Sequence, residues 1–302
     1  MPSSVVLLNP AAAGGRAARL AGPIADWLAQ HAPGVPLVES DSIERALATL
    51  RCLPARCRVV LVGGDGTLHQ MLPALLTHRH TLGLVPVGSG NDLARSLGLH
   101  RLAWPQALAL ALAGTPRRID TGELLVAGRW VPFLSSLAAG FDAAVAQRAS
   151  AGPAFLRGMP RYAWATLAEL AALRRWQLRI TIDGTPGPAL DTLFASSLNT
   201  PSYGAGMPAV PQARPDDGRL DLLLAGRFGR LGVLRMLPLL MAGRHLGHPQ
   251  VRTRRFEVMQ VDSTPALPLA ADGEPLAAAS RFTVQVKPAS LSVVVAQAPP
   301  EA

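Results

Sequence analysis

The chain has 302 residues, 49% hydrophobic and only 16% charged, which excludes a disordered polypeptide and is enough for two hydrophobic cores. Its formal net charge is +9, from 29 basic against 20 acidic side chains, and Lys287 is its single lysine. The arginines are scattered, without basic runs or interleaved aromatics, which argues against a nucleic-acid platform and leaves an anionic membrane or a phosphate-rich substrate.

In chain order, Val5 to Leu8 reads as a first strand ended by Asn9-Pro10. The small-residue loop Ala11 to Arg16 follows, then a helix from about Ala17 to His31 whose N-terminus suits an anion. Val35 to Glu39 is a second strand, Ser40 to Ser42 a capping region, and Ile43 to Leu53 a helix. Cys52 and Cys57, the only cysteines, lack partners for a zinc site and read as free thiols. No signal-peptide pattern precedes the first strand, and no stretch approaches eighteen uninterrupted apolar residues.

The most informative stretch runs from Val59 to Arg95. Val59 to Val62 is an unbroken apolar run, as in a strand buried on both faces. Gly63, Gly64, Asp65, Gly66 and Thr67 follow, and glycines let backbone N–H groups approach an anion closely. A carboxylate inside such a turn makes sense with a Mg²⁺ ion or a second hydrogen-bonding layer beside the phosphate. Leu82 to Val87 then opens into a second turn, Gly88-Ser89-Gly90-Asn91-Asp92. Two strand-to-glycine-turn units on one sheet edge form one crevice, the place where α/β folds bind ligands. Asp92, just before a helix starting near Leu93, is a helix cap or a functional carboxylate. Trp104 to Ala113 is the helix that closes this domain.

Beyond Arg117 the texture changes to strand-like runs at Glu123–Ala127, Trp130–Ala138, Gln177–Ile182 and Asp191–Leu198. They predict a second, mostly antiparallel β-sandwich, interrupted by a helical hairpin over Phe141 to Arg174. Asp120 falls at the junction, where an ionisable group can face a cleft. Arg230 to Leu246 is a Leu- and Met-rich helix flanked by arginines, which fits packing on the sandwich better than a membrane surface. Asp272-Gly273-Glu274-Pro275 is a turn with two carboxylates two residues apart, an ordinary Asp-Gly hairpin by default. Phe282–Val286 and Ser290–Ala296 are closing strands.

The pair GGDGT and, about twenty residues later, PVGSGNDLAR resembles the diacylglycerol kinase catalytic domain family, specifically its soluble bacterial lipid kinases. DGEP at 272–275 extends the likeness nearly end to end. The resemblance implies an α/β nucleotide-binding domain over 1–118 and a β-rich lipid-acceptor domain over 119–287, with the last strand, about 288–297, returning to the first. It implies an ATP- and Mg²⁺-dependent lipid kinase, with diacylglycerol as the default acceptor. Its nucleotide contacts fall on Asn9, Pro10, Gly14, Ser40, Gly63, Gly64, Asp65, Gly66, Thr67, Ser89, Gly90, Asn91 and Asp92, although capping alone also explains Ser40. A Mg²⁺ that braces the second domain falls on Asp217 and the backbone of Arg214 and Arg219, and Asp120 is a further metal-ordering carboxylate. His69 departs from the pattern, since relatives usually carry Asn there.

Phosphoryl transfer to an alcohol needs a phosphate cradle, charge neutralisation and a base. Asp65 organises nucleotide and metal in this reading, and Glu274 takes the hydroxyl proton with Asp272 orienting it. Adjacent carboxylates raise one another's pKa, which suits a base near neutrality. The expected partners are a lipid alcohol and an anionic membrane, not nucleic acid; the expected place is the cytoplasm, peripheral at the inner membrane face. Oligomeric state stays open, a homodimer included. The alternatives are an NAD-kinase-like enzyme with a soluble acceptor and a non-catalytic lipid- or nucleotide-binding protein.

Overall fold

A computed structural model describes residues 4–88, 90–153, 156, 158–204 and 206–296. The chain divides into two compact units, Met1–Ile119 with Ala289–Ala302, and Asp120–Pro288.

The first unit is a parallel sheet with helices. Its elements are β1 (Ser4–Leu8), α1 (Ala21–His31), β2 (Leu37–Glu39), α2 (Ile43–Cys52), β3 (Arg58–Gly63), α3 (Asp65–Thr77), β4 (Thr81–Pro86), α4 (Asp92–Ser96) and α5 (Trp104–Ala113). The order is β2-β1-β3-β4, and Ser292 and Val293 from the far end of the chain pair in parallel with Thr81 and Leu82 of β4. The apolar runs of β1 and β3 are buried, as expected of strands covered on both faces. Val6, Leu8, Val60 and Val62 pack with Ile24 and Leu28 of α1 and Ala107 and Leu108 of α5. Met71, Leu72 and Leu75 fix α3 by burial, and Leu72→Ala would cost about 2–5 kcal/mol.

Two helix starts differ from the sequence expectation. The segment Ala12–Leu20 is 3₁₀-like and broken by left-handed Ala13, Gly14 and Gly15, so the first α-helix begins only at Ala21. Helix α3 begins at Asp65, inside the run read from sequence as a glycine turn, because extended Gly64 is its cap, and so the carboxylate sits in a first helical turn.

The second unit contains β5 (Pro116–Val126, which begins in the first unit), β6 (Arg129–Phe133), β7 (Ser136–Ala139), α6 (Phe141–Ser150), α7 (Met159–Ala171), β8 (Trp176–Ile182), β9 (Thr185–Thr192), β10 (Phe194–Leu198), β11 (Leu220–Ala225), α8 (Arg230–Met241), β12 (Val251–Phe256), β13 (Val258–Ala271) and β14 (Glu274–Val294). One run of strands is β12-β11-β10-β7 and the second half of β13. The other is β9-β8, the first half of β13, then β14, β5 and β6. Register shifts between Asp262 and Leu269 let β13 serve both runs, which is how a sandwich turns its corner. In β8, Trp176, Leu178, Ile180 and Ile182 are buried and Gln177 and Arg179 exposed, the period-2 signature of a half-buried strand. These side chains join Phe133, Phe256, Met259 and Val284 in one core.

Strands β11, β12 and β13 have no counterpart in the sequence expectation, and the two closing strands are one continuous β14. Helix α8 is shorter than expected, and Val233 is its only buried residue among those described. Val233, with partly buried Met236 and Leu237, packs on the sandwich core as expected, while Leu231, Leu234, Leu239 and Met241 are exposed. Its leucines surround the helix, and composition does not tell how many faces are covered.

Candidate active site

The ends of β1, β3 and β4 gather the first group of residues. Asn9 follows β1, and its Nδ2 donates to Thr67 Oγ1 at 2.7 Å while its Oδ1 accepts from Ala11 N–H at 2.9 Å. Pro10 and Gly14 (φ 68°) belong to the same loop. The two glycine turns touch: a Cβ on Gly88 would lie 2.9 Å from Gly64 Cα, so neither position tolerates a side chain without movement. Asp65 ties them together, Oδ2 accepting from Asn91 N–H at 2.5 Å and Oδ1 from Asp92 N–H at 3.1 Å. Asn91 is left-handed (φ 54°), its Nδ2 donating to Gly88 O at 2.6 Å, and Arg95 Nε donates to Gly90 O at 2.8 Å.

The cap of α4 is therefore Asn91, with Asp92 its first helical residue. Gly63 ends β3, and Gly66 and Thr67 lie in the first turn of α3, where a helix dipole favours an anion. Ser40 is 5% exposed, and its hydroxyl donates to Ser42 O at 2.8 Å while its N–H reaches Leu8 O, so it closes its own turn. Ser42 is the cap of α2. Ser89 lies outside the described residues.

The second group sits in the second unit. Asp272 (φ 49°) and Gly273 (φ 86°) are the two central residues of the β13–β14 hairpin, where Ala271 pairs with Glu274. The Asp272 carboxylate does more than a turn requires. Oδ1 accepts from Ser135 N–H at 2.7 Å and from Leu134 and Ser136 N–H at 3.2 Å, and Oδ2 accepts from Leu134 N–H at 2.9 Å. Three amides thus anchor Asp272, and Glu274 heads the following strand, half-buried.

The third group surrounds the turn before β11. Asp120 is buried, and its Oδ2 accepts from Gly218 N–H at 2.7 Å. Its N–H donates to Pro215 O at 2.6 Å and its carbonyl accepts from Asn199 Nδ2 at 2.9 Å. Asp217 accepts from Arg219 N–H at 3.1 Å and is ion-paired with Arg255. Arg214 pairs with Asp216 at 3.3 Å. Asp221, given no role on sequence grounds, is 2% exposed, and its Oδ1 has no hydrogen-bond partner. Burial pushes its pKa up, against the lowering effect of Arg255, and Asp217 adds to the rise. Its signal in the sequence is a lone carboxylate in the apolar strand LDLLLA.

Asp142, at the start of α6, is a further carboxylate. Ser196 Oγ donates to its Oδ2 at 2.5 Å and Ala143 N–H to its Oδ1 at 2.9 Å. Burial dominates, and its pKa is pushed up to about 6.

Comparison with known proteins adds to this geometry. Residues 3–124 match the family model for the diacylglycerol kinase catalytic domain, and residues 135–295 match that for the YegS C-terminal NAD kinase beta sandwich-like domain. The chain is 32% identical over 291 residues to a diacylglycerol kinase of Mycobacterium tuberculosis, covering 95% of this chain and 93% of the relative. It is 27% identical over 218 residues to the diacylglycerol kinase of Bacillus subtilis, covering 72% and 70%. A crystal structure of a diacylglycerol kinase from Bacillus anthracis shares the fold, with a TM-score of 0.69, 15% identity, and 98% and 97% of the two chains covered. An NAD kinase from Archaeoglobus fulgidus, in complex with ATP, aligns with a TM-score of 0.56 at 14% identity, covering 96% and 93%. A parallel α/β unit with paired glycine turns and a β-sandwich unit define a two-domain kinase fold. The chain belongs to the diacylglycerol kinase family of lipid kinases.

Proposed function

We propose that this protein transfers the γ-phosphoryl group of ATP to a lipid hydroxyl, with diacylglycerol as the acceptor. The observation that carries this reading is the pair of touching glycine turns, locked by Asp65 at the N-terminus of α3. A cradle of backbone N–H groups at a helix N-terminus suits a polyphosphate. Residues 1–118 with the returning end of β14 hold the nucleotide, and residues 119–287 take the acceptor.

Phosphate contacts fall to the loop after Asn9 and Pro10, including Gly14, and to Gly63, Gly64, Gly66, Thr67, Ser89, Gly90 and Asn91, with Ser40 beside them. Mg²⁺, when bound, supplies charge neutralisation on the phosphates. Asp65 has each oxygen already on an amide, so it acts on such an ion from the second layer, leaving Asp92 as the nearer carboxylate. Glu274 takes the acceptor's proton as its oxygen attacks phosphorus and ADP leaves. Asp272, anchored by three amides, fixes the turn that presents Glu274.

The turn at Asp217 suits a second, structural Mg²⁺ held by Asp217 and the carbonyls of Arg214 and Arg219, with Asp120 bracing the turn. The unpartnered buried oxygen of Asp221 supports a cation there, which would replace Arg255 as counter-charge. The protein works in the cytoplasm at the inner membrane face, peripherally. No helix among the described residues is long and apolar enough to cross a membrane. Leu231 (69% exposed) and Met241 (60%) on α8, with Arg230 and Arg235 on the same helix and Trp164 and Leu167 exposed on α7, support contact with an anionic bilayer.

The deciding experiment is ATP γ-phosphoryl transfer to a panel of lipid alcohols in mixed micelles, with products weighed by mass spectrometry. Phosphorylated diacylglycerol is expected. Product on NAD alone would favour the soluble-acceptor reading, to which the shared fold with an NAD kinase also lends itself.

A further inference from the structure

The first unit carries a cation-rich cavity at the opposite ends of its strands from the glycine turns. It encloses about 550 Å³ and is lined by Arg56, Arg79, Arg118, Thr81, Ser290 and Ser292. Arg56 immediately precedes β3 by two residues, Arg79 and Thr81 stand at the start of β4, and Ser292 is the partner of Thr81 in the neighbouring strand. The strands β3 and β4 are six residues long, so the cavity lies roughly 20 Å from the crevice at their other ends. A ligand here does not share the crevice.

The cavity's composition is one-sided. The four segments that build it, 53–58, 76–81, 114–119 and 289–292, hold five arginines and no Asp or Glu. Arg58 is engaged inward, its guanidinium donating to the carbonyls of Leu112 and Gly114. Arg56, Arg79 and Arg118 have no ion-pair partner among the described residues. Three like charges around one cavity repel one another, and only an anion relieves that repulsion locally. Hydroxyl groups and the side of Leu76 complete the lining, with Thr81 Oγ1 donating to Ser292 Oγ at 3.3 Å. The loops that hold two of the arginines are joined, since Arg56 N–H donates to His78 O at 3.0 Å. Both Arg56 (φ 63°) and Arg79 (φ 53°) are left-handed, a conformation costly for arginine and held here by that pairing.

We propose that this cavity binds a phosphate group, through the forked donors of Arg56, Arg79 and Arg118 and the neighbouring hydroxyls. The shared chemistry is a phosphate monoester or free phosphate; the source is a soluble phosphate compound or the headgroup of an anionic lipid. The site is independent of the crevice and of the reaction assigned to it.

The test compares the full chain with Arg56→Gln/Arg79→Gln/Arg118→Gln in two arms. The soluble arm is calorimetric titration with inorganic phosphate. The lipid arm is co-sedimentation with phosphatidylcholine vesicles containing phosphatidate, against vesicles with the same charge supplied by phosphatidylglycerol, a phosphodiester. Affinity for one probe should fall at least ~100-fold in the triple variant, since each charge-assisted contact is strong. ATP affinity should not change. Loss of phosphate titration identifies a soluble source, and loss of the phosphatidate preference alone identifies a lipid source. If the triple variant fails to fold, Arg79→Gln and Arg118→Gln singly should each lower affinity by about tenfold. The proposal is overturned if the wild-type chain binds neither probe, or if the variants bind both as the wild type does.

Discussion

Asp65 Oδ2 accepts the backbone N–H of Asn91 across 26 positions of sequence, at 2.5 Å. With its other oxygen on Asp92 N–H, one carboxylate fixes the relative position of both glycine turns. Asp65→Asn would set an NH₂ group against one of those N–H donors. The variant should therefore lose at least ~100-fold in turnover and also about 1–3 kcal/mol in stability. Turnover is read at saturating ATP and stability by denaturant unfolding. Wild-type values for both would remove Asp65 from the organising role.

Glu274→Gln keeps size and hydrogen bonding but cannot accept a proton. Turnover should drop roughly 10²- to 10⁴-fold with ATP affinity retained, and the acid limb of the pH–rate profile should disappear. Asp272→Asn should destabilise the hairpin by about 1–3 kcal/mol as well as slow turnover, because it sets an NH₂ donor against amides that now donate to the carboxylate. A Glu274→Gln enzyme with most of its turnover across the pH range would rule out the base assignment.

Mg²⁺ should raise the melting temperature of the wild-type chain, by about 2–3 kcal/mol of added stability at a hundredfold excess over its dissociation constant. Asp221→Asn should abolish the response. In chelator the same variant should match or exceed the wild type, because a buried charge has been removed. Identical wild-type melting in Mg²⁺ and in chelator would dismiss the structural cation.

Asp142 sets a pH dependence of stability. Its pKa in the folded chain is raised to about 6 from 3.8, so the folded state binds the proton more tightly than the unfolded one. The stabilisation from protonation is complete below 3.8 and lost as pH rises through about 6. Across that window, wild type should lose up to about 2–3 kcal/mol relative to Asp142→Asn on going to neutral pH. Parallel pH profiles for the two proteins would contradict this.

The exposed face of α8 predicts a hydrophobic share in membrane contact. Leu231→Ser and Met241→Ser should each weaken binding to anionic vesicles by about tenfold, the scale of one lost apolar side chain. Salt should weaken the remaining binding, since charges are screened beyond about 8 Å at physiological ionic strength. Unchanged sedimentation of both variants would place the contact elsewhere.

Much of the first unit was legible because its signals are local. Val59–Val62 is an apolar run, glycines mark both turns, and α5 falls on Trp104–Ala113 as the sequence predicts. The bond from Asp65 to Asn91 was not legible, because it exists only once two separate turns meet. Strand β12, VRTRRF, has four exposed residues in a row and almost no alternation, so it has no pattern to read. Strand β13 breaks its own period through bulges. Asp221 was hidden for the opposite reason: a single carboxylate does not disturb the reading of LDLLLA, yet its burial gives it consequence.

Strand β14 is 21 residues long, and only its last part, from Ala289, belongs to the unit with which the chain begins. During synthesis the edge of β4 at Thr81 and Leu82 therefore waits for Ser292 and Val293, more than two hundred residues behind it on the ribosome. An uncovered strand edge is an aggregation hazard, and the nascent chain carries it until Ser292 and Val293 emerge. A product released prematurely after Pro288 would have every residue of both glycine turns and still lack the strand that covers this edge. The same pairing makes closure of this part of the sheet depend on the stretch from Ala289.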